Sequence, residues 1–240
     1  MATNESVRLT VGEIVANDFR AAAIFKNAGI DFCCGGKKGL SESCEEKGIN
    51  LAALEKDLKE LESEPLSQSH NFKDWDLGFL CDYIMNTHHK FVLKSLLELV
   101  FYTQTIAAVH GGHHPELIEI SELFAKINLE LRQHLKNEEE VLFPAIKSAL
   151  SNQSVENAST WKSTIISEIS RMSGEHEFAG GAMDHINEIS NHYQVPDDGC
   201  STYSVTYRLL EQFEDDLHIH VHLENNILYA KALILAGAAE

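Results

Sequence analysis

Positive charge is scarce in this sequence: 19 Lys and Arg stand against 37 Asp and Glu over 240 residues, a net −18 at pH 7. Such a surface repels phosphate backbones and anionic headgroups, so neither nucleic acid nor a membrane surface is an expected partner. Long apolar runs are missing as well. No stretch approaches the roughly 18 consecutive apolar residues that span a bilayer, and residues 1–5 lack the basic and apolar blocks of a secretory signal, so the expected compartment is the cytoplasm. The five cysteines are an odd number with two adjacent, Cys33 and Cys34, which excludes the even framework of a secreted disulfide scaffold. Aromatics make up only 8% of the chain, whereas histidine is plentiful at 13 residues. Histidine is the commonest metal-ligating side chain, so its placement is the feature to follow.

At about 150 residues per domain, this length predicts one large domain or one plus a small one, and 44% hydrophobic residues suffice to close a core. Residues 7–62 read as short pieces: helical turns over 11–16 and 18–28 stopped by Gly29, a glycine-rich turn, another short helix over 40–47 ended by Gly48, and a last one capped by Asn50. Residues 63–74 are polar, with one proline and no periodicity, and read as a linker. From Trp75 onward there are four long segments of helical spacing and almost no strand-like alternation. They are punctuated by Gly111 and Gly112, by Pro115 at a helix start, by Pro144 near a helix end, and by polar loops over 151–160 and 195–199. The expected fold is therefore all-α: a small helical domain over 1–62, then an up-down-up-down four-helix bundle over 75–240.

In each long segment the core stripe runs onto a histidine. In the second, Leu117, Ile120, Phe124, Ile127 and Leu131 lead without a slip onto His134, Glu138 and Val141, leaving Glu139 and Glu140 for the surface. In the fourth, Leu210, Phe213 and Leu217 lead onto His220 and Glu224, while His218 and His222 fall on the opposite face. In the third, Ile165, Ile169 and Met172 lead onto His176, then Ala179, Met183 and Ile186; His185 points outward, and Gly180 and Gly181 leave space beside His176. The first segment is ambiguous, because the stripe before the pair favours His88 and the stripe after it favours His89.

Four inward histidines and two inward glutamates cannot be buried together without cations or donors to compensate the carboxylates. A dinuclear metal site satisfies all six, with the glutamates bridging and two histidines terminal on each ion. A mixed N/O set without thiolate suits non-haem iron ahead of manganese or zinc.

A bundle with His89, His134-x-x-x-Glu138, His176 and His220-x-x-x-Glu224 resembles the hemerythrin-like superfamily. Joined to the N-terminal Asp31-Phe32-Cys33-Cys34-Gly35-Gly36-Lys37, it resembles more narrowly the Repair of Iron Centres family, the di-iron proteins of iron-sulfur cluster repair. The resemblance covers nearly the whole chain; Tyr229-Ala230 replaces a Phe-Pro common in the family. It implies His89 as the first ligand and two non-haem irons per chain bridged by Glu138 and Glu224. It also implies a role under nitrosative and oxidative stress, with proteins carrying damaged iron-sulfur clusters as clients and NO or O2 as small-molecule partners. Oxygen-carrying hemerythrins have a further histidine one turn after the third-helix ligand, where this chain has Gly180, and an aspartate for Glu224; the smaller donor set favours reactivity or iron release over oxygen storage.

Cys33 and Cys34 lie in a turn whose free amides, with Lys37 and Lys38 nearby, favour thiolate, and the family supports redox work or iron handling there. Glu130, one turn before His134, and Glu175, beside His176, are placed to touch the metal ligands or to line a passage for protons or iron. Cys44, Cys81 and Cys200 read as structural, and His110, His113 and His114 as exposed turn residues. Iron donation to damaged clusters is the expected function, ahead of reduction of nitric oxide or another small oxidant and of an O2 or NO sensor. A homodimer is left open.

Overall fold

The computed structural model describes residues 9–62, 71–151 and 158–238. Residues 63–70 of the expected linker and 152–157 of the expected loop lie outside the described residues. Among the described residues there is no strand, only an isolated bridge between Thr10 and Gly39. Four short helices come first: α1 (Val11–Asn17), α2 (Ala21–Asn27), α3 (Leu40–Lys47) and α4 (Leu51–Glu62). After a 3₁₀ turn at Phe72–Asp74, the chain forms four long helices, three of them interrupted by a π-turn. The first is α5 (Leu77–Ile84), π-turn Met85–His89 and α6 (Lys90–His110); the second is α7 (Glu116–Asn137), π-turn Glu138–Leu142 and α8 (Phe143–Leu150). The third, α9 (Ala158–Ile189), is unbroken, and the fourth is α10 (Ser201–His222), π-turn Leu223–Leu228 and α11 (Tyr229–Ala236).

Contacts divide the chain into two compact units, Met1–Leu80 with Val221–Glu240, and Cys81–His220. In the first unit, local chemistry sets the helix ends. Thr10 and Glu13 form a capping box, Thr10 Oγ1 accepting the Glu13 N–H while the Thr10 N–H donates to the Glu13 carboxylate. Gly29 and Gly48 end α2 and α3 at φ +66° and +65°, the left-handed region that glycine enters without strain. Asn50 caps α4 by accepting the Ala53 N–H at 3.1 Å. Val11, Val15, Phe25, Leu40, Cys44 and Leu54 close this core. Asn226, on the last π-turn, donates to the carbonyls of Phe32 and Cys33, both at 3.3 Å. A Cβ on Gly12 or Gly36 would meet Asn226 Oδ1 at 2.2 or 2.8 Å, so only glycine permits this approach.

The second unit is the up-down-up-down bundle. A tight turn with Pro115 as the N-cap of α7 reverses the chain between α6 and α7. The expected stripes fill the interior, and Phe124 meets Phe213 edge to face at 5.3 Å. The helix Leu77–His110 is long and apolar enough to cross a membrane by length and composition, yet it is a bundle helix with Val92, Leu96, Leu99 and Ile106 in the core.

The π-turns explain where the stripes slip. An inserted residue rotates everything after it by about 100°. The slip at Met85–His89 is why one stripe favoured His88 and the other His89; both are buried, where a single inward histidine was expected. The slip at Glu138–Leu142 corrects the expected core position of Val141, which is 39% exposed, while Leu142 is fully buried. Pro144, expected near the helix end, instead opens α8 directly after the π-turn, where its missing N–H interrupts least.

Candidate metal centre

Within the bundle, His134, Glu138 and His176 bring one ligand atom each to within 4.8 Å of one another, and His89, Glu138 and His220 do the same. Glu138 belongs to both triads, and all five residues are buried. Its Oε2 lies 3.3 Å from His89 Nε2 and 3.4 Å from His134 Nε2, and the Nε2 atoms of His134 and His176 are 3.0 Å apart.

The outer ring nitrogens show how these imidazoles are oriented. His89 Nδ1 is 2.8 Å from Glu139, and His134 Nδ1 is 2.7 Å from Glu175. A carboxylate accepts, so each Nδ1 carries a proton, and in the neutral imidazole each Nε2 then presents a lone pair inward. Two such lone pairs then face the Glu138 carboxylate oxygen, an arrangement of acceptors that repel unless a cation lies among them. The donor set therefore fits a metal: neutral imidazoles fixed by carboxylates, plus a shared carboxylate, buried where an unpaired charge is costly. Glu175 is itself gripped by Arg171; the hydrogen bond to His134 and the Arg171 charge hold its carboxyl below the usual range.

Glu139 is the residue that the stripe analysis missed. Expected at the surface, it is half-buried and bonded to His89, because the π-turn beginning at Glu138 redirects it. A carboxylate directly after an inward carboxylate is too common a signal to have shown this. His88, one of the two candidates for a single inward histidine, is buried together with His89; its Nδ1 pairs with Asp216 at 3.0 Å, and its ring stacks on His220 with centroids 5.5 Å apart. Glu130, in contrast, is exposed and lies outside both triads. His185 is partly exposed and meets Glu119 at 2.9 Å.

In the other unit, Glu224 is fully buried on the π-turn Leu223–Leu228, one turn beyond His220 along the same continuous helix. His222, expected near solvent, is also fully buried; burial lowers its pKa to about 4, and its Nδ1 lies 3.3 Å from the Phe32 carbonyl. Cys33 and Cys34 are not joined in a disulfide, their sulfurs lying 3.9 Å apart, and Asp31, Cys33 and Cys34 form a third group with ligand-atom spacing. The expected thiolate at Cys33 is corrected: the Cys34 hydrogen bond and burial raise its pKa, and Asp31 Oδ1, 3.1 Å from Sγ, accepts from the protonated thiol. Lys38 pairs with Glu46 at 2.6 Å.

Residues 82–232 match the hemerythrin HHE cation binding domain, and residues 8–62 match a domain of unknown function (DUF542). The chain is 30% identical to the iron-sulfur cluster repair protein ScdA of Staphylococcus epidermidis over 232 residues, covering 96% of this chain and 99% of that one. It is 32% identical to the iron-sulfur cluster repair protein YtfE of Dickeya chrysanthemi, covering 93% and 96%, and 29% identical to YtfE of Escherichia coli O8 over the same shares. A cation-binding helical bundle with two histidine pairs around one carboxylate, preceded by the Cys-Cys domain and matched end to end by these proteins, places the chain in the ScdA/YtfE family of iron-sulfur cluster repair proteins.

Proposed function

We propose that this protein is a cytoplasmic di-iron repair factor that donates iron to proteins whose iron-sulfur clusters have been damaged by nitrosative or oxidative stress. The observation that carries this reading is Glu138 shared between two buried histidine pairs, the donor arrangement that two adjacent cations require. His89 and His220 would hold one ion, and His134 and His176 the other. Glu224, buried one turn past His220, would supply the second carboxylate, by the same spacing that relates Glu138 to His134. Iron held there supplies an exchangeable, redox-active centre open to small molecules such as NO and O2.

The chain's own residues set how firmly the metal is held. Glu139 and Glu175 fix the protonated nitrogens of His89 and His134, while the two inward glutamates offset the cationic charge. Gly180 contributes no donor one turn after His176, so iron here would be held by fewer ligands than a storage site needs. Cys33, kept protonated in the resting protein, and Cys34 beside it would serve for contact with a client or for electron supply.

The test is metal content of protein purified without oxygen, followed by incubation with a cluster-damaged acceptor. About two irons per chain and loss of iron to the acceptor are expected. Stoichiometric zinc that iron cannot replace would overturn the reading, and consumption of nitric oxide with a donor but no iron transfer would replace it with a reductase. A Glu138→Ala protein that kept both irons would remove the bridging assignment. Repair unchanged in the Cys33→Ala, Cys34→Ala double variant at full iron would remove the role of the cysteine pair.

A further inference from the structure

Cys200 was expected to be structural, but it is the exposed member of the five cysteines, none of them in a disulfide, while Cys33, Cys44 and Cys81 are buried and Cys34 is partly covered. It is the N-cap of α10, since its carbonyl accepts the Ser204 N–H at 3.1 Å. Its Sγ lies 3.2 Å from Nε2 of His110, the last residue of α6. The Thr202 and Tyr203 amides also donate to the sulfur. An imidazole and the first amides of a 22-residue helix thus converge on one exposed thiol. About 30 Å of helix separates it from His220, so it is independent of the metal centre.

The His110 hydrogen bond, reinforced by the helix amides, lowers the Cys200 pKa to about 7, and so about half the thiol is ionised at neutral pH. The other charged or titratable groups around the pair are His114, Glu116, Asp198 and Tyr203. His114 is engaged by Asp198 at 3.0 Å and Glu116 at 3.1 Å, and its ring meets Tyr203, which also contacts His110. His110 is therefore the imidazole that faces the sulfur.

We propose that Cys200 and His110 form a reactive thiolate–imidazole pair, a modification site that takes low-molecular-weight disulfides into a mixed disulfide. The Cys200 thiolate attacks one sulfur of R–S–S–R. The Cys200–S–R bond forms as the original S–S bond breaks, and RS⁻ leaves with the electron pair and takes a proton from solvent. Cys200 is oxidised and the departing thiol reduced, with no other oxidant needed. The pair gives the protein a disulfide-responsive position that its cluster of histidines and carboxylates does not contain.

The test uses the full chain with glutathione disulfide as probe and reads the rate of mixed-disulfide formation on the peptide carrying Cys200 across pH. Half-maximal reactivity near pH 7 is expected. In His110→Gln the thiol pKa returns toward about 8.5, which lowers the rate at pH 7 roughly threefold and raises it above about pH 9, because a more basic thiolate is the better nucleophile. That crossing of the two profiles is not produced by a loss of packing; exposed His113→Gln should leave the profile unchanged. Ultraviolet titration of thiolate in the unmodified chain, with Cys200→Ala as the reference, gives the same midpoint without relying on the His110 variant. A Cys200 midpoint above about pH 8, or identical profiles with and without His110, would overturn the proposal.

Discussion

His89 and His134 each turn one ring nitrogen toward a partly exposed carboxylate and the other toward buried Glu138. Those outer carboxylates fix tautomer and ring angle, so Glu139→Gln and Glu175→Gln should each weaken metal retention by roughly 10–100-fold with the fold intact, measured by competition with a chelator. Glu130→Gln, changing an exposed side chain, should leave retention unchanged in the same assay. Glu214 is a second informative residue. It is buried on α10, accepts from Asn187 at 2.9 Å, and burial pushes its pKa up to about 7. A carboxyl whose folded pKa lies above its unfolded value binds more protons when folded. Its contribution is therefore complete below about pH 4.5 and is lost as pH rises toward 7, by no more than about 3 kcal/mol. Glu214→Gln should flatten the pH dependence of stability over that window; denaturant midpoints that fall as before would place the dependence elsewhere.

Three of the four long helices carry a π-turn, and each π-turn holds an inward histidine or glutamate: His89, Glu138 and Glu224. A widened turn lets two consecutive residues face the interior, as His88 and His89 do, at some cost in backbone hydrogen bonding. The unbroken α9 keeps its stripe in register from Ile165 to Ile186, which is why His176 was legible from spacing alone. The last π-turn also holds the cysteine motif through Asn226. Gly12→Ala should destabilise that unit by roughly 1–3 kcal/mol through its clash with Asn226, and Asn226→Ala should relieve only part of the loss, because Gly36 O would still stand 2.9 Å from the new Cβ. Unfolding of the full chain by denaturant reads this; fully additive losses would show that the two positions do not share the contact.

Across the whole molecule, a net charge of −18 draws cations toward a bundle whose interior collects lone pairs. The rate of Fe²⁺ loading into metal-free protein should therefore fall as ionic strength rises, and a salt-independent rate would exclude long-range attraction from the uptake step. Holding the triads in place depends on the apolar layers beside them. Phe213→Ala, which removes the edge-to-face contact with Phe124, should cost about 3–5 kcal/mol in the unfolding free energy and reduce metal retention with it.

The sequence by itself determined the all-α class, the helix ends at Gly29 and Gly48, the cap at Asn50, and the inward position of His134, Glu138, His176, His220 and Glu224. All of these follow from local chemistry or a regular 3.6-residue period. Only the tertiary structure decided that His88 joins His89 in the interior, that Leu142 replaces Val141 in the core, that Glu139 orients a ligand histidine, and that Cys33 stays protonated while Cys200 ionises. A π-turn changes the period without leaving a compositional mark, and the ionisation of a thiol depends on neighbours that lie far away in sequence, such as His110, 90 residues from Cys200.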